Sequence, residues 1–243
     1  MLQHQRKIII VGATSGIGRE MAELYVAQGH KVGLTGRRLN LLEELKQQFP
    51  EQAEYECFDV TKTENINRLE SLVHKLGGLD ILVISAGWGK PSKELEWGID
   101  KKITDTNVNG FVEIANWGYN FFINQGYGQI ATISSIAAYR GSSYSPAYSA
   151  SKAFQSTYFE GLSIKANKLR KNVTVTCIEP GFVNTKMAHG GEKMFWIVPV
   201  EKAARQMIQG IERKKRKVYI SRRWWLIAKF MKWAPYWLYR KFA

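Results

Sequence analysis

Apolar residues in this chain gather into short continuous runs separated by longer segments with helical spacing. The first run, residues 7–12, holds four β-branched residues and ends in glycine. A short apolar run without alternation is typical of a strand that is buried on both faces of a sheet. The pattern predicts six strands. They cover residues 7–12, 31–36, 54–58, 79–85, 129–134 and 172–178.

The segments between these runs repeat their apolar positions every three to four residues and end at glycine or proline. They predict helices at residues 17–28, 39–49, 63–76, 99–125 and 146–170. Strands that alternate with helices indicate a parallel sheet covered on both faces, with ligands at the carboxyl ends of the strands. We therefore expect an α/β fold, a single-domain Rossmann-type doubly wound sheet.

No linker, repeat or low-complexity tract divides the chain, so we expect one catalytic domain over residues 1–221 and a C-terminal helical extension over 222–243. The 243 residues are 45% hydrophobic, which is enough for one core. Two isolated cysteines, Cys57 and Cys177, indicate neither a disulfide framework nor a metal site. With no secretory signal or membrane-length apolar run, the expected location is the cytoplasm.

The net charge of +14 is concentrated at the C-terminal end of the chain. Residues 212–243 contain 11 basic residues and only one acidic residue, Glu212, and four of the eight tryptophans lie at 224, 225, 233 and 237. A helix there would place Arg222, Lys229 and Lys232 on one narrow stripe, with apolar residues around the rest.

Three interpretations of this extension remain open. A basic helix rich in tryptophan can lie in a membrane interface, which would make the protein peripheral at a membrane surface. A helix of this kind can also cap a substrate cleft or pack on a partner subunit. Nucleic acid is the least favoured partner, although basic and aromatic side chains can bind single strands.

A glycine-rich turn joins the first predicted strand to the first predicted helix. It reads Gly12-Ala13-Thr14-Ser15-Gly16-Ile17-Gly18. Glycines here permit a sharp turn, close approach of a pyrophosphate, and tight packing of the helix on the sheet. The helix start supplies free N–H groups and the positive end of a dipole. In this strand-to-helix context the turn indicates a dinucleotide site.

The end of the second predicted strand indicates which dinucleotide binds. An acidic residue there would accept from the ribose 2′-hydroxyl of NAD, but the chain has Arg37 and Arg38 instead. Guanidinium groups can grip a 2′-phosphate through several N–H groups, which favours NADP(H). Asp59 and Val60 end the third strand, where an acid could accept from the adenine amino group.

Tyr148 and Lys152 are four residues apart on a predicted helix, so their side chains share one face. A phenol is a poor base at neutral pH, and a neighbouring ammonium would lower its pKa. Ser135 ends the fifth predicted strand and could donate to a carbonyl oxygen. Following a glycine-rich turn, these three residues predict acid–base chemistry on a carbonyl or an alcohol.

Over residues 5–221 the sequence resembles the short-chain dehydrogenase/reductase family. The resemblance rests on the glycine turn, Asn107-Val108-Asn109-Gly110, Ser135, Tyr148-x-x-x-Lys152, and Pro180-Gly181 with Thr185. One motif departs: this chain has Ile84-Ser85-Ala86-Gly87 where the family usually shows Asn-Asn-Ala-Gly. The isoleucine removes one side-chain hydrogen bond, while Ala86 and Gly87 keep the close approach to the adenosine ribose.

The resemblance implies a role for each matching residue. Tyr148 would be the general acid in reduction and the base in oxidation, and Lys152 would lower its pKa and bind the nicotinamide ribose. Ser135 would hold the substrate oxygen, and Asn107 would anchor a water that relays protons past Lys152. The implied cofactor contacts are Gly12, Thr14, Ser15, Gly16, Ile17, Gly18, Arg37, Arg38, Asp59, Val60, Ala86, Gly87, Asn107, Tyr148, Lys152, Pro180, Gly181, Val183 and Thr185.

Residues 186–198 lie where the family places its mobile substrate loop. Their content of Met187, Met194, Phe195 and Trp196 favours a hydrophobic carbonyl or alcohol substrate. Trp88, Tyr139 and Tyr144 are further candidates for the pocket lining. We expect a homo-oligomer, a dimer or tetramer. Two other classes stay open: a non-catalytic dinucleotide sensor, which would not need the complete Ser135, Tyr148, Lys152 and Asn107 set, and an adaptor that acts through the extension.

Overall fold

The computed structural model describes residues 5–185 and 195–241. Seven parallel strands form one sheet in the order β3-β2-β1-β4-β5-β6-β7. The strands are β1 (Lys7–Val11), β2 (Lys31–Gly36), β3 (Ala53–Cys57), β4 (Ile81–Ile84), β5 (Tyr127–Ile133), β6 (Asn172–Pro180) and β7 (Lys217–Ile220). This doubly wound sheet confirms the predicted fold class.

Helices cover both faces of the sheet. They are α1 (Gly16–Ala27), α2 (Leu39–Gln48), α3 (Asn65–Leu76), α4 (Trp97–Thr104), α5 (Phe111–Gln125), α6 (Pro146–Lys168), α7 (Val200–Glu212), α8 (Trp224–Trp233) and α9 (Tyr236–Tyr239). A 3₁₀ turn, Ile136–Tyr139, follows β5.

The continuous apolar runs are explained by burial on both faces of the sheet. In the central strand β1, Ile8 and Ile10 face the core shared with α1, α2 and α7, and Ile9 faces the core shared with α3, α5 and α6. The strand order reverses between β1 and β4. At such a switch point the loops after the two strands diverge and leave a crevice at the carboxyl edge.

One predicted helix is divided in two. The expected helix over 99–125 is α4 and α5 joined by a π-helical turn, Asp105–Gly110, that contains Asn107. Single π-helical turns insert an extra residue into a helix and recur at functional sites. Gly110, the last residue of this turn, lies against the Val60 carbonyl. A side chain at position 110 would place its Cβ atom on that carbonyl oxygen.

Two elements were not predicted: α7 and β7. The core-facing residues of α7, among them Ala203, Ala204, Met207 and Ile211, recur at helical spacing. Residues 213–217, grouped by charge with the extension, instead lead into the sheet, where Lys217 begins β7 and pairs with Cys177 of β6. A strand of four residues that begins with lysine gives no apolar run that could reveal it.

The C-terminal helices lie on the body of the protein. Trp224 at the start of α8 is 1% exposed and packs on Gly181, where a Cβ atom would overlap the indole. Arg140 donates to the Ala234 carbonyl at 3.0 Å, and the Tyr239 hydroxyl donates to the Gly141 carbonyl at 2.9 Å. Within 5–185 and 195–241, no helix has both the length and the apolarity needed to cross a bilayer.

Replacement of Trp224 will test whether the extension is docked on the body. We expect Trp224→Ala to lower the free energy of unfolding by about 3–5 kcal/mol, because it empties a buried aromatic site. Trp225→Ala, at 42% exposed on the same helix, is the matched control and should change stability little. Thermal denaturation followed by circular dichroism measures both, and equal effects would contradict a docked Trp224.

Candidate active site

The glycine turn brings the backbone of three segments into close contact. Gly12 and Gly16 have positive φ angles of 92° and 57°, a region that disfavours other residues. A Cβ atom on Gly12 would lie 2.7 Å from the Ala86 nitrogen, and one on Gly18 would strike the Gly12 carbonyl. These glycines therefore let the chain turn and let α1 approach the sheet.

The start of α1 is suited to an anion. No side chain caps its first turn, and that turn contains no acidic residue. Thr14 is buried at the turn, and Ile17 packs against the core and anchors the helix. The N–H groups of a helix start attract phosphate, so the turn fits the pyrophosphate of a dinucleotide.

The two arginines after β2 make different contacts. The Arg38 guanidinium donates to the hydroxyls of Thr14 at 2.6 Å and Ser15 at 2.7 Å, so it lies across the glycine turn. Arg37 is 3.5 Å from the Asp59 carboxylate. Arg38 is therefore the arginine in contact with the turn.

Asp59 and Val60 follow β3 at the same edge. Burial alone would raise the pKa of Asp59, but hydrogen bonds from Thr61 and the charge of Arg37 hold it below its usual value. The Val60 carbonyl accepts from the Asn65 amide at 3.1 Å. Asp59 is thus an anion that is already partly engaged by protein groups.

Ser135 and Tyr148 meet beside this edge of the sheet. Ser135 follows β5 and caps the 3₁₀ turn, accepting from the Ala137 N–H at 3.1 Å. Burial raises the pKa of the Tyr148 phenol, and a hydrogen bond from Ser135 lowers it by a smaller amount. Gly89 lies against the phenol ring, since a Cβ atom there would be 2.7 Å from Tyr148 Cδ2.

Lys152 lies one turn along α6 and is 4% exposed. Its Nζ donates to the Ile133 carbonyl at 3.0 Å and lies 5.7 Å from the centre of the Tyr148 ring. Burial lowers the pKa of this ammonium to about 8. A Cβ atom at Gly87 would be 3.5 Å from Lys152 Nζ and 3.5 Å from Asn107 Oδ1, so glycine keeps the space in front of the lysine open.

Gln155 connects Lys152 to Asn107. Its Oε1 accepts from Lys152 Nζ at 2.9 Å, and its Nε2 donates to the main-chain carbonyl of Asn107 at 3.0 Å. The Asn107 side chain itself bonds to the backbone of Trp88, at 2.8 Å to both N and O, and to Ser151 Oγ at 3.0 Å. A buried amide thus joins the Asn107 main chain to Lys152.

Sequence reasoning missed Gln155. The available signal was its spacing, three residues after Lys152 on the same helix, which puts both side chains on one face.

The chain after β6 returns to the glycine turn. Pro180 ends the strand, and the Gly181 N–H donates to the Ile220 carbonyl at 2.7 Å. Val183 is buried and forms a bridge with Val198, and a Cβ atom on Gly16 would be 3.5 Å from Thr185 Cγ2. The residues predicted to contact the cofactor after β6 therefore lie beside the turn predicted to hold its phosphates.

Part of the predicted substrate loop lies outside the described residues: 186–194, with Met187 and Met194. Beyond it, Phe195 and Trp196 pack around Trp224, with ring centres 5.1 Å and 6.0 Å from it. Phe182 closes the cluster at 5.4 Å from Trp224. The first residue of α8 is thus shared between the extension and the segment around Gly181.

A polar network lies behind α6. Glu179 is fully buried and accepts from the Tyr139 hydroxyl at 2.6 Å, Ser156 Oγ at 3.1 Å and Lys217 Nζ at 2.8 Å. Tyr139, a candidate for the pocket lining, therefore has its hydroxyl committed to Glu179. Because Ser156 lies on α6, this network ties α6 to β6 and β7.

The family model described as short chain dehydrogenase matches residues 6–194. An uncharacterized oxidoreductase from Myxococcus xanthus is 34% identical over 220 residues, covering 88% of this chain and 86% of that protein. Another, from Staphylococcus saprophyticus, is 35% identical over 196 residues, covering 77% and 83%.

Solved structures show the same fold at low identity. The 3-ketoacyl-(acyl-carrier-protein) reductase from Brucella melitensis, complexed with NADH, has a TM-score of 0.80 at 21% identity, covering 90% of this chain and 98% of that one. A short-chain dehydrogenase from Sphingobium yanoikuyae, in complex with NADPH, has a TM-score of 0.77 at 19% identity, covering 92% of each chain. The sheet order, the family match and these relatives agree with the sequence-based resemblance: the chain belongs to the short-chain dehydrogenase/reductase family of oxidoreductases.

Proposed function

We propose that the protein is an NADP(H)-dependent carbonyl reductase that interconverts a hydrophobic ketone or aldehyde and its alcohol. The observation that carries the proposal is the meeting of Ser135, Tyr148 and Lys152 at the sheet edge that also holds the glycine turn. A dinucleotide sensor would need the turn, but it would not need a phenol in contact with a serine and near a buried ammonium.

The contacts of Arg38 support NADP(H) as the cofactor. Its guanidinium lies across Thr14 and Ser15, and the end of β2 offers no acid to accept from a ribose hydroxyl. The similar structures include proteins bound to NADPH and to NADH, so the fold alone does not choose between them. A planar guanidinium favours the 2′-phosphate through paired N–H groups.

In this proposal the glycine turn and Arg38 would hold NADP(H), which when bound would supply the hydride for the carbonyl carbon. The Ser135 hydroxyl donates to the substrate oxygen, and Tyr148 transfers its phenol proton to that oxygen as negative charge develops. The Lys152 ammonium holds positive charge near the phenol ring. This charge stabilises the phenolate that forms when Tyr148 gives up its proton. Gln155 keeps the ammonium in place, since it accepts from Nζ and is itself anchored on the Asn107 carbonyl.

The protonation states of the site at neutral pH suit the reductive step, in which the phenol acts as an acid. Because burial holds the pKa of Tyr148 above 10, the phenol carries its proton at neutral pH and is ready to act as an acid. The Lys152 ammonium, with a pKa of about 8, is still mostly charged at pH 7. Oxidation would require the Tyr148 phenolate as a base, so the rate of alcohol oxidation is expected to rise at higher pH.

The surroundings of the site support the remaining assignments. Phe182 and Phe195 near Gly181 suit an apolar substrate. Phe154 and Ile164 are exposed on α6, which supports a homo-oligomer that would cover them. We also infer a cytoplasmic location with peripheral contact to a membrane, which the exposed aromatic residues of the extension support.

The cofactor assignment predicts tighter binding of NADPH than NADH. Removing a charge-assisted contact costs about 1.5–3 kcal/mol, so Arg38→Ala should weaken NADPH binding roughly 10- to 100-fold and leave NADH nearly unchanged. Arg37→Ala should reduce the preference as well, but less, because Arg37 is engaged with Asp59. Cofactor fluorescence titration measures each affinity, and equal affinities in the unmodified protein would refute the assignment.

The role of Tyr148 is tested by Tyr148→Phe, which keeps the ring and removes the hydroxyl. NADPH affinity should hold, while carbonyl reduction across a panel of ketones and aldehydes should fall by ~10²–10⁴-fold or more. Loss of NADPH absorbance reports turnover. Lys152→Ala should reduce both affinity and rate, and an unchanged rate in the phenylalanine variant would rule out this mechanism.

The burial of Lys152 predicts its titration. The folded pKa of about 8 lies below the ordinary value of 10.5, so the unfolded chain binds more protons between these values and stability rises with pH in that window. We expect a midpoint near 8 in NMR of ¹³C-lysine-labelled protein, with the signal assigned through Lys152→Arg.

Two variants of Gln155 should move this midpoint in opposite directions. Gln155→Glu places a carboxylate against the ammonium and should raise the lysine pKa, whereas Gln155→Leu removes the acceptor and should lower it. Identical midpoints in all three proteins would show that Gln155 does not hold the ammonium.

A further inference from the structure

The outer face of α8 and α9 is aromatic and solvent-exposed. Trp224 and Ala228 mark the inner face, which is buried. Residues at helical spacing on the opposite side are exposed to solvent. One of them, Trp233, lies directly across the helix from Trp224 and is 78% exposed. We call this surface the aromatic face; it consists of Trp225, Leu226, Phe230, Trp233, Tyr236 and Trp237.

Cations are interleaved with the aromatic face. Lys229 lies 4.0 Å from the Trp225 ring centre, and Lys232 and Lys241 lie within 6.0 Å of Trp233 and Trp237. In the part of the chain that the structure describes, no acidic side chain pairs with a cation of α8 or α9, and the sequence contains no acid after Glu212. The face therefore presents apolar area together with positive charge, although Lys232 also borders a cavity that Glu160 and Glu179 line.

This combination favours an anionic lipid surface over other occupants. A second copy of the chain docked face to face would bring like charges together. A nucleic acid would use the charge but would leave much of the leucine and phenylalanine area unburied. Indole rings prefer the boundary between lipid headgroups and acyl chains, and lysines beside them reach the anionic headgroups.

Three exposed residues beside the candidate active site adjoin α8 through its buried inner face. Trp224 contacts Phe195 and Trp196, and Arg223 lies 5.9 Å from the Trp196 ring centre. Phe195, Trp196 and Ile197 are themselves exposed, and we call them the rim. Because Trp224 also packs on Gly181, next to Pro180, the same indole connects the extension, the rim and the cofactor site.

We propose that the aromatic face and the rim dock together on an anionic bilayer, so that the cleft opens toward the lipid. This arrangement implies a substrate class, which rests on the proposed reductase function: an aldehyde or ketone that partitions into the membrane. The docking itself does not depend on catalysis, so it is measured separately.

Sedimentation with vesicles tests the docking. The full chain should pellet with phosphatidylcholine vesicles that contain phosphatidylserine, and much less with phosphatidylcholine alone. Salt should weaken the binding without abolishing it, because buried indole area is insensitive to screening. Lys229→Gln and Lys232→Gln should each weaken binding roughly fivefold.

Trp233→Ser and Trp237→Ser should each release the protein from the vesicles. Trp97→Ser is the matched control: Trp97 is 75% exposed but lies on α4, and its loss should leave binding unchanged. Circular dichroism and NADPH titration verify that each variant folds. Absence of binding to anionic vesicles, or equal losses for Trp97→Ser and Trp233→Ser, would overturn the proposal.

The orientation of the cleft is tested at the rim. Phe195→Ser and Ile197→Ser should weaken vesicle binding, and adding anionic vesicles should speed decanal reduction by the unmodified protein but not by Trp233→Ser. Vesicle binding that is unchanged in Phe195→Ser and Ile197→Ser would overturn the proposed orientation of the cleft. If the protein instead forms a concentration-dependent dimer that is lost in Trp233→Ser, the aromatic face binds a second copy of the chain. That result would also overturn the proposed membrane docking. Absence of turnover on every carbonyl, with binding intact, would refute only the reductase function.

Discussion

Burial of one ammonium group, that of Lys152, constrains the architecture around the candidate active site. A charge withdrawn from water is stable only where acceptors replace the lost hydration. The acceptors here come from two places: the Ile133 carbonyl at the end of β5 and the Gln155 amide on α6. The amide depends in turn on the Asn107 carbonyl in the π-helical turn. Strand end, helix and turn must therefore keep their relative positions for the lysine to stay charged near Tyr148.

The sequence predicted the parts of this site whose spacing reflects backbone geometry. The glycine turn was found because its residues are those that permit positive φ and close approach, and Tyr148 and Lys152 were found because helical spacing aligns them. Gln155 was missed because a glutamine on a helix has no distinctive pattern; its role depends on the distant Asn107 being brought against α6. The π-helical turn was missed for a similar reason, since the apolar spacing on both sides of it remains helical.

The positive charge of residues 212–243 belongs to two separate groups of cations, which a count of net charge does not distinguish. Lys217 is neutralised inside the protein, where it satisfies the buried Glu179 carboxylate, and Arg216 pairs with Glu160 at the surface. The cations of α8 and α9 have no such partners within residues 195–241 or the rest of the described chain. Helical spacing predicts one stripe for Arg222, Lys229 and Lys232; all three are exposed, but Arg222 precedes α8, so the three do not all belong to one helix. Which aromatic residue turns inward could not be predicted, because Trp224 and Trp225 are neighbours of identical type.

The π-helical turn Asp105–Gly110 makes the relative rotation of two helices depend on one extra residue. Each residue of an α-helix advances the chain by about 100° of rotation, and a π-helical turn absorbs one residue more than a regular turn. If the same residues closed into a regular helix, α5 would rotate relative to α4 by about that angle. Either Phe111 would leave the core or Asn107 would leave Trp88 and Gln155. Loss of one residue from the turn would instead leave the two helices in phase, so its effect should be confined to the turn that carries Asn107.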